Sequence, residues 1–357
     1  MELGLHDVQQ GDEAAVSDLG VTWTKTGADL ADETQIIACD DRRRLEWLRS
    51  LGLQLVIDIR INVPYLNARA IDIQMGMAER GELEEVLPTD TVAERHRKES
   101  ANQKPASLAV AREVGAAAAA YVQRHGYLCS NWEFWGEYNC PWTSQGLFDN
   151  MLCYSTLLRE VRHSIKAVQA EGRIWTGGNG MDWRMDWLRA LVQEEAGDAF
   201  DILNLHPYFI TIHRDRRTAA GIVRRNLEDL RRILREDCRD QPFAATEWGY
   251  PTLPRRSFRE RIGRWVARDK SDTMLTSHVF CSDIRAIPAE EAVDWFEGDL
   301  SAFNAAGFEV VIVHALRDRP DAARHWGDYC GLLTASGKHK PVWDVVQRWA
   351  WRGRGAD

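Results

Sequence analysis

Residues 126–142 read GYLCSNWEFWGEYNCPW. A short apolar run of strand type carries Glu133, then ends in the polar sequence Gly136, Glu137, Tyr138, Asn139. It lies between two stretches of helical periodicity, an alanine-rich one reaching Arg124 and another from about Leu147 to Glu171. The same unit recurs. LGLHD (3–7), VTWTKTG (21–27), LQLVIDIR (53–60), RIWTGGNG (173–180), DILNLHPYF (201–209), PFAATEWGY (242–250) and FEVVIVHALRD (308–318) are further apolar runs alternating with amphipathic ones. Strands that alternate with helices are joined by crossovers and run parallel. Eight such units in 357 residues fit an α/β (β/α)8 TIM barrel better than an open doubly wound sheet. No GxGxxG or P-loop follows the first strand, which removes the usual nucleotide-binding readings.

The expectation is therefore a single barrel domain over residues 1–357, with insertions after strands 3 and 7. The first insertion is residues 62–90, read as a long irregular segment. The second is residues 255–287, within which TMLTSHVFCSD (273–283) reads as an extra strand. The net charge of -9 argues against a nucleic-acid partner. The basic run RRSFRERIGRWVARDK (255–270) reads as a solvated helix face. No stretch of about 20 apolar residues is present to span a membrane, and no signal peptide is visible after Met1. A cytoplasmic location is expected from the sequence as written, or a secreted one if a leader has been trimmed. The seven scattered cysteines contain no CxxC pair and indicate neither a disulfide framework nor a zinc site. Fifteen tryptophans supply core packing or flat faces for sugar rings. Oligomeric state is not legible in the sequence.

In such a barrel, polar residues at the C-terminal ends of strands are active-site candidates. Those ends give Lys25, Arg60, Glu137, Asn179, His206, Tyr208, Glu247 and His314. Glu137 and Glu247, on the fourth and seventh strands, form the carboxylate pair that glycoside cleavage requires. One protonates the departing oxygen and the other attacks the sugar carbon. Their carboxyl carbons are expected about 5 to 5.5 Å apart. Glu133 has the parity of Glu137 but lies about 13 Å deeper at the usual strand rise. A buried carboxylate there needs a cation, Arg60 or Lys25.

These residues resemble clan A glycoside hydrolases, the retaining (β/α)8 group. WEFWGEYN (132–139) is similar to the Trp-Glu-x-Trp-Asn-Glu-Pro-Asn motif around the acid/base, and FAATEWGYPT (243–252) to the Thr-Glu-x-Gly motif around the nucleophile. DILNLHPY (201–208) resembles the sixth-strand His-Pro-Tyr. HALRD (314–318) with GLLTASGKHKPVWDVV (331–346) resembles the eighth strand and closing helix. The likeness is nearest the branch of β-xylosidases, α-iduronidases and exopolysaccharide hydrolases. It implies a retaining hydrolase acting on a polysaccharide or oligosaccharide without a cofactor or metal. Glu137 would be the acid/base and Glu247 the nucleophile. His206 and Tyr208 would orient Glu247 and contact the sugar, and Asn179 would line the cleft. Lys25, Arg60, Asn139 and His314 complete the expected substrate contacts. Trp135 and Trp248, with Trp142 and Trp183, are candidate stacking faces.

The departures from the pattern are specific. Gly136 stands where an Asn normally hydrogen-bonds the sugar 2-hydroxyl, Tyr138 replaces a Pro, Lys25 an Arg and His314 an aromatic residue. The missing Asn keeps open a catalytically weakened barrel that binds glycans. A metal-dependent hydrolase using His6, His206 and His314 is the least favoured alternative, since no HxH or HExxH is present.

Overall fold

The computed structural model describes residues 1–6, 8–27, 35–136, 151–178, 191, 198–208, 216–236, 240–253, 274–276, 283–285, 287–319 and 329–355. The expected barrel is present. Its strands are β1 (Glu2–His6), β2 (Trp23–Thr26), β3 (Gln54–Ile61), β4 (Asn131–Phe134), β5 (Arg173–Thr176), β6 (Leu203–Leu205), β7 (Phe243–Trp248) and β8 (Phe308–Val313). All pair in parallel in the order β5-β4-β3-β2-β1-β8-β7-β6. A parallel bridge between Trp175 and Ile202 draws β5 toward the lead-in to β6 and nearly closes the cylinder.

Strand alternation sorts the side chains into two cores. Trp23, Val56, Trp175, Ile202, Ala244, Val310 and Ile312 fill the barrel floor. The intervening residues, such as Leu55, Ile57, Trp132, Phe134, Leu203 and Val311, face the helices. Gly4 lets Trp23 into the floor, because a Cβ there would meet Trp23 Cβ at 2.8 Å.

The outer layer includes helices α1 (Glu13–Leu19), α2 (Arg42–Ser50), α3 (Val63–Glu79), α4 (Val92–His125), α5 (Met151–Val168), α6 (Arg216–Glu236), α7 (Ala289–Ala305) and α8 (Val342–Gly353). The expectation of an irregular segment after β3 is corrected. Most of it is α3, started by Asn62, whose side chain accepts the Tyr65 N–H, and by Pro64 in the first turn. Thr91 and Glu94 then form a reciprocal capping box that launches the 34-residue α4. After β7, Met274–Thr276 is a short strand, as expected, paired antiparallel with Asp283–Arg285. Among the described residues no helix is long and apolar enough to cross a membrane.

Candidate active site

Above the apolar floor the inward positions turn polar. On β7 the change depends on a local irregularity. Val311 pairs with Ala245, yet Val313 pairs with Trp248, so two residues of β8 oppose three of β7. The extra residue is a β-bulge, which shifts side-chain parity and re-aims the residues after it. Thr246 and Glu247 both serve the barrel mouth, and Trp248 turns out into the helix layer. There Trp248 is fully buried against Phe296, Phe303 and Tyr250, with its indole N–H donating to Asp299.

Glu247 is the centre of the site, with its side chain 17% exposed. Lys25 Nζ lies 3.1 Å from its Oε1. The Tyr208 hydroxyl donates to Oε2 at 3.2 Å. His314 Nδ1 and His206 Nδ1 stand 3.5 and 3.8 Å from the same Oε2. Burial alone would raise the Glu247 pKa, but the positive neighbourhood of Lys25 and His206 overcomes it and holds the carboxyl well below the usual range. Glu247 is thus an oriented, ionised carboxylate at the C-terminal edge of a barrel strand.

Lys25 also bonds Glu133 Oε1 at 3.0 Å. Of the two cations expected for Glu133, Lys25 is the one in contact. Lys25 is buried, which lowers its pKa, but Glu133, Glu247 and Asp58 more than compensate and keep it charged. His206 Nε2 lies 3.8 Å from Glu133, so His206 spans the same two acids as Lys25. Glu133 has no exposed surface, and desolvation raises its pKa despite Lys25. Its Oε2 has no hydrogen-bond partner among the described residues. Two carboxylates joined by one lysine are therefore pushed in opposite directions, a separation that acid–base sites exploit.

A buried lattice fixes this layer from below. The Asn204 side chain bonds Thr246 twice, through its Nδ2–H to Oγ1 at 2.7 Å and its Oδ1 to the backbone N–H at 3.0 Å. His206 Nε2 is 3.1 Å from Thr246 Oγ1. A Cβ on Gly178 would fall inside the His206 ring, so the close approach of β5 requires glycine. His6, at the end of β1, stacks on His314 with centroids 5.5 Å apart, its Nδ1 lying 3.2 Å from the His314 carbonyl.

Arg60 is set to one side. Its Nε bonds Asp58 at 3.2 Å, and Asp58 accepts the Gly136 backbone N–H at 3.3 Å. The acid beside the position of the missing Asn is therefore Asp58. Its Oδ2 would lie 3.7 Å from a Cβ on Gly136, an ordinary contact. The strand around residues 126–142 stops at Phe134. Trp135 has φ 58, a left-handed conformation that is strained for a bulky residue. The strain sits two residues before Glu137.

Glu137, Asn139 and Asn179, with Trp142 and Trp183, lie outside the described residues, and so does the expected Glu137–Glu247 separation. The stacking role expected of Trp135 and Trp248 is corrected. Trp135 is 5% exposed and packs on Tyr154 at 6.1 Å, while Trp248 is fully buried. Neither offers a free face to a sugar. Alternation along LGLHD puts His6 at a strand end like the other candidates, a signal that identifies it beside Glu247. His6, Glu247 and His314 place three ligand atoms within 4.8 Å of one another, a set able to take a divalent cation. His206, expected in the metal alternative, is not in that set.

Solved structures similar to this chain include glycoside hydrolases. A family 39 glycoside hydrolase from Bacteroides cellulosilyticus WH2 aligns with a TM-score of 0.58 at 14% identity, covering 98% of this chain and 63% of that one. A β-glucuronidase from an uncultured Clostridium sp. aligns with a TM-score of 0.54 at 12% identity, over 98% and 50%. β-Glucuronidase 2 of Bacteroides uniformis, covalently bound to cyclophellitol-6-carboxylate aziridine, gives 0.53 at 13% identity, over 99% and 35%. The chain thus spans less than two thirds of the length of each. Scans against protein-family models and against curated proteins find no match. At these identities the likeness is one of fold: this chain has the barrel that these glycoside hydrolases use.

Proposed function

We propose that this protein is a retaining glycoside hydrolase that cleaves a polysaccharide or oligosaccharide by double displacement. The observation that carries the reading is Glu247: a carboxylate on the seventh strand, kept ionised by Lys25 and oriented by Tyr208 and His314. Glu247 attacks the anomeric carbon while Glu137 protonates the leaving oxygen. Glu137 then deprotonates the water that releases the sugar. Neither step calls for a cofactor. The barrel shared with family 39 and β-glucuronidase structures supports this reading.

The role of Glu137 has its own test. Glu137→Ala is expected to slow natural glycosides and alkyl glycosides by at least about 100-fold, the usual scale of proton-transfer catalysis. It should slow 4-nitrophenyl glycosides far less, because their leaving group needs no proton. Equal losses on both would remove Glu137 from the acid role.

Gly136 shapes the substrate. With no amide at this position, the nearest group to it among the described residues is the Asp58 carboxylate, which accepts and does not donate. The site should therefore tolerate a substituent at C2, or take its donor from another strand, Lys25, Asn139 or Asn179. Among the described residues a Cβ on Gly136 meets only an ordinary contact, so Gly136→Asn should fold and, where the best substrate carries a C2 substituent, lower kcat/KM at least tenfold. A tenfold rise on a glycoside with a free 2-hydroxyl would show instead that the site lacked only its donor. The missing Asn also favours the alternative of a weakened, glycan-binding barrel. An aryl glycoside panel with Glu247→Gln as control separates the two: turnover that this variant removes belongs to a hydrolase.

A further inference from the structure

A cavity of about 310 Å³ opens between the segments that follow β1 and β8, lined by His6, Gln10, Asp12, Arg317, Asp318 and Arg319 among others. These segments are at the C-terminal end of the barrel, where function collects. The cavity is not isolated from the catalytic layer. His6 is a wall of it, and the same imidazole stacks on His314 and reaches within 4.8 Å of the ligand atoms of Glu247 and His314. A ligand in the cavity therefore sits next door to one held at Glu247.

Its lining mixes polar and apolar surface, and several of its polar groups are held in place. Asp12 is buried, accepts the Gln9 backbone N–H at 3.0 Å and faces Arg317 at 3.5 Å. Asp318 is held by Lys340 at 2.7 Å and by the Gly331 N–H at 3.0 Å. Polar groups fixed before binding lose little entropy when a ligand arrives. Arg317 is offset by Asp12 and Asp318 by Lys340, so most of the charge at the cavity wall is paired within the protein. Guanidinium groups only donate and carboxylates only accept. A surface that alternates the two matches neighbouring hydroxyls, each of which does both. The volume is at the lower end of small-molecule sites, which run from about 300 to 1,000 Å³, and suits a single sugar ring.

We infer that this cavity is a second sugar subsite, which binds the residue adjacent to the one attacked by Glu247. The inference rests on the hydrolase reading and deepens it: the substrate is a glycan of at least two residues, recognised on both sides of the His6 ring.

The test compares 4-nitrophenyl β-xyloside with β-xylobioside, and 4-nitrophenyl β-glucoside with β-cellobioside. The proteins are wild type, Gln10→Trp and Arg317→Ala. Gln10 is exposed, so Gln10→Trp fills the cavity without disturbing the core, and it serves if Arg317→Ala does not fold. On the better pair, wild type should prefer the disaccharide in kcat/KM by tenfold or more. Each variant should cut that ratio at least tenfold, mainly through KM. A wild-type ratio near one, or a ratio that survives Gln10→Trp, overturns the subsite. If wild type cleaves none of the four, all of which carry a free 2-hydroxyl, the result bears on the sugar and not on the subsite, which is then read by binding on an oligosaccharide array. Glycans of two or more units retained by wild type and lost by Gln10→Trp support it; no such glycan overturns it.

Discussion

Glu247→Ala is expected to lower kcat by at least about 10,000-fold, equivalent to about 5.5 kcal/mol of barrier. The loss should be the same for activated and unactivated leaving groups, since the covalent intermediate cannot form in either case. Folding should survive. Glu247 lies at the partly exposed mouth of the barrel, and the lattice of Asn204, Thr246 and His206 beneath it does not depend on the Glu247 carboxylate. Azide offers a second readout. A small anion entering the space left by the carboxylate, beside Lys25, attacks from the same face and gives a glycosyl azide of inverted configuration. Rescue with that product places Glu247 as the nucleophile. Retention of more than about a hundredth of the activity would remove it from that role. The acid limb of the wild-type profile carries the same assignment. Lys25 and His206 hold Glu247 below the usual carboxylate range, so kcat/KM should fall off only below that range, as pH drops through the lowered pKa.

The barrel was legible because apolar runs and amphipathic stretches alternate along most of the chain, and that period does not depend on distant contacts. Lys25, His206, Tyr208, Glu247 and His314 were legible for a related reason. Each stands just where an apolar run ends, and the four strand ends that carry them converge on one mouth. Two kinds of feature resisted. One is geometry created by an irregularity. A strand of regular parity would give Glu247 and Trp248 opposite faces, but the β7 bulge, which needs β8 to define its register, decides which of them meets the site. In the same way Trp135 turns left-handed and is spent on Tyr154 rather than on a ligand. The other is partnership across the sheet. Asp58 beside Gly136, and the cavity behind His6, arise from neighbours 78 residues apart in one case and from the two ends of the chain in the other. No local pattern encodes either. Residues 62–90 were misread for a simpler reason: Asn62 and Pro64 form a helix start, and the cap was there to be read.

Lys25→Met is expected to produce the largest loss of stability of any single change in this layer. Lys25 is buried and bonds Glu133, which has no exposed surface. Removing one partner of a buried pair leaves an uncompensated charge and costs about 3 to 5 kcal/mol. Thermal and urea unfolding should both register it. The catalytic signature is separate. Removing a positive neighbour raises a carboxylate pKa, so the acid limb of kcat/KM should move to higher pH. Glu133→Gln should leave the limb almost where it is, because the Glu133 pKa is raised while that of Glu247 is lowered, so Glu133 is already protonated where Glu247 titrates. A shift from one end of an ion pair and none from the other is a result that general loosening of the barrel cannot produce. The double variant Lys25→Met with Glu133→Gln closes the cycle. It takes away the stranded charge along with its partner, and replacing both members of a buried pair by neutral groups is often close to neutral for stability. It should therefore unfold at a higher temperature than Lys25→Met alone, yet keep a raised acid limb, because Glu247 still lacks its lysine. If the double variant is as unstable as the single, Glu133 does not owe its charge compensation to Lys25. If Lys25→Met leaves the acid limb where it is, or Glu133→Gln raises it as much, the lysine does not set the ionisation of Glu247.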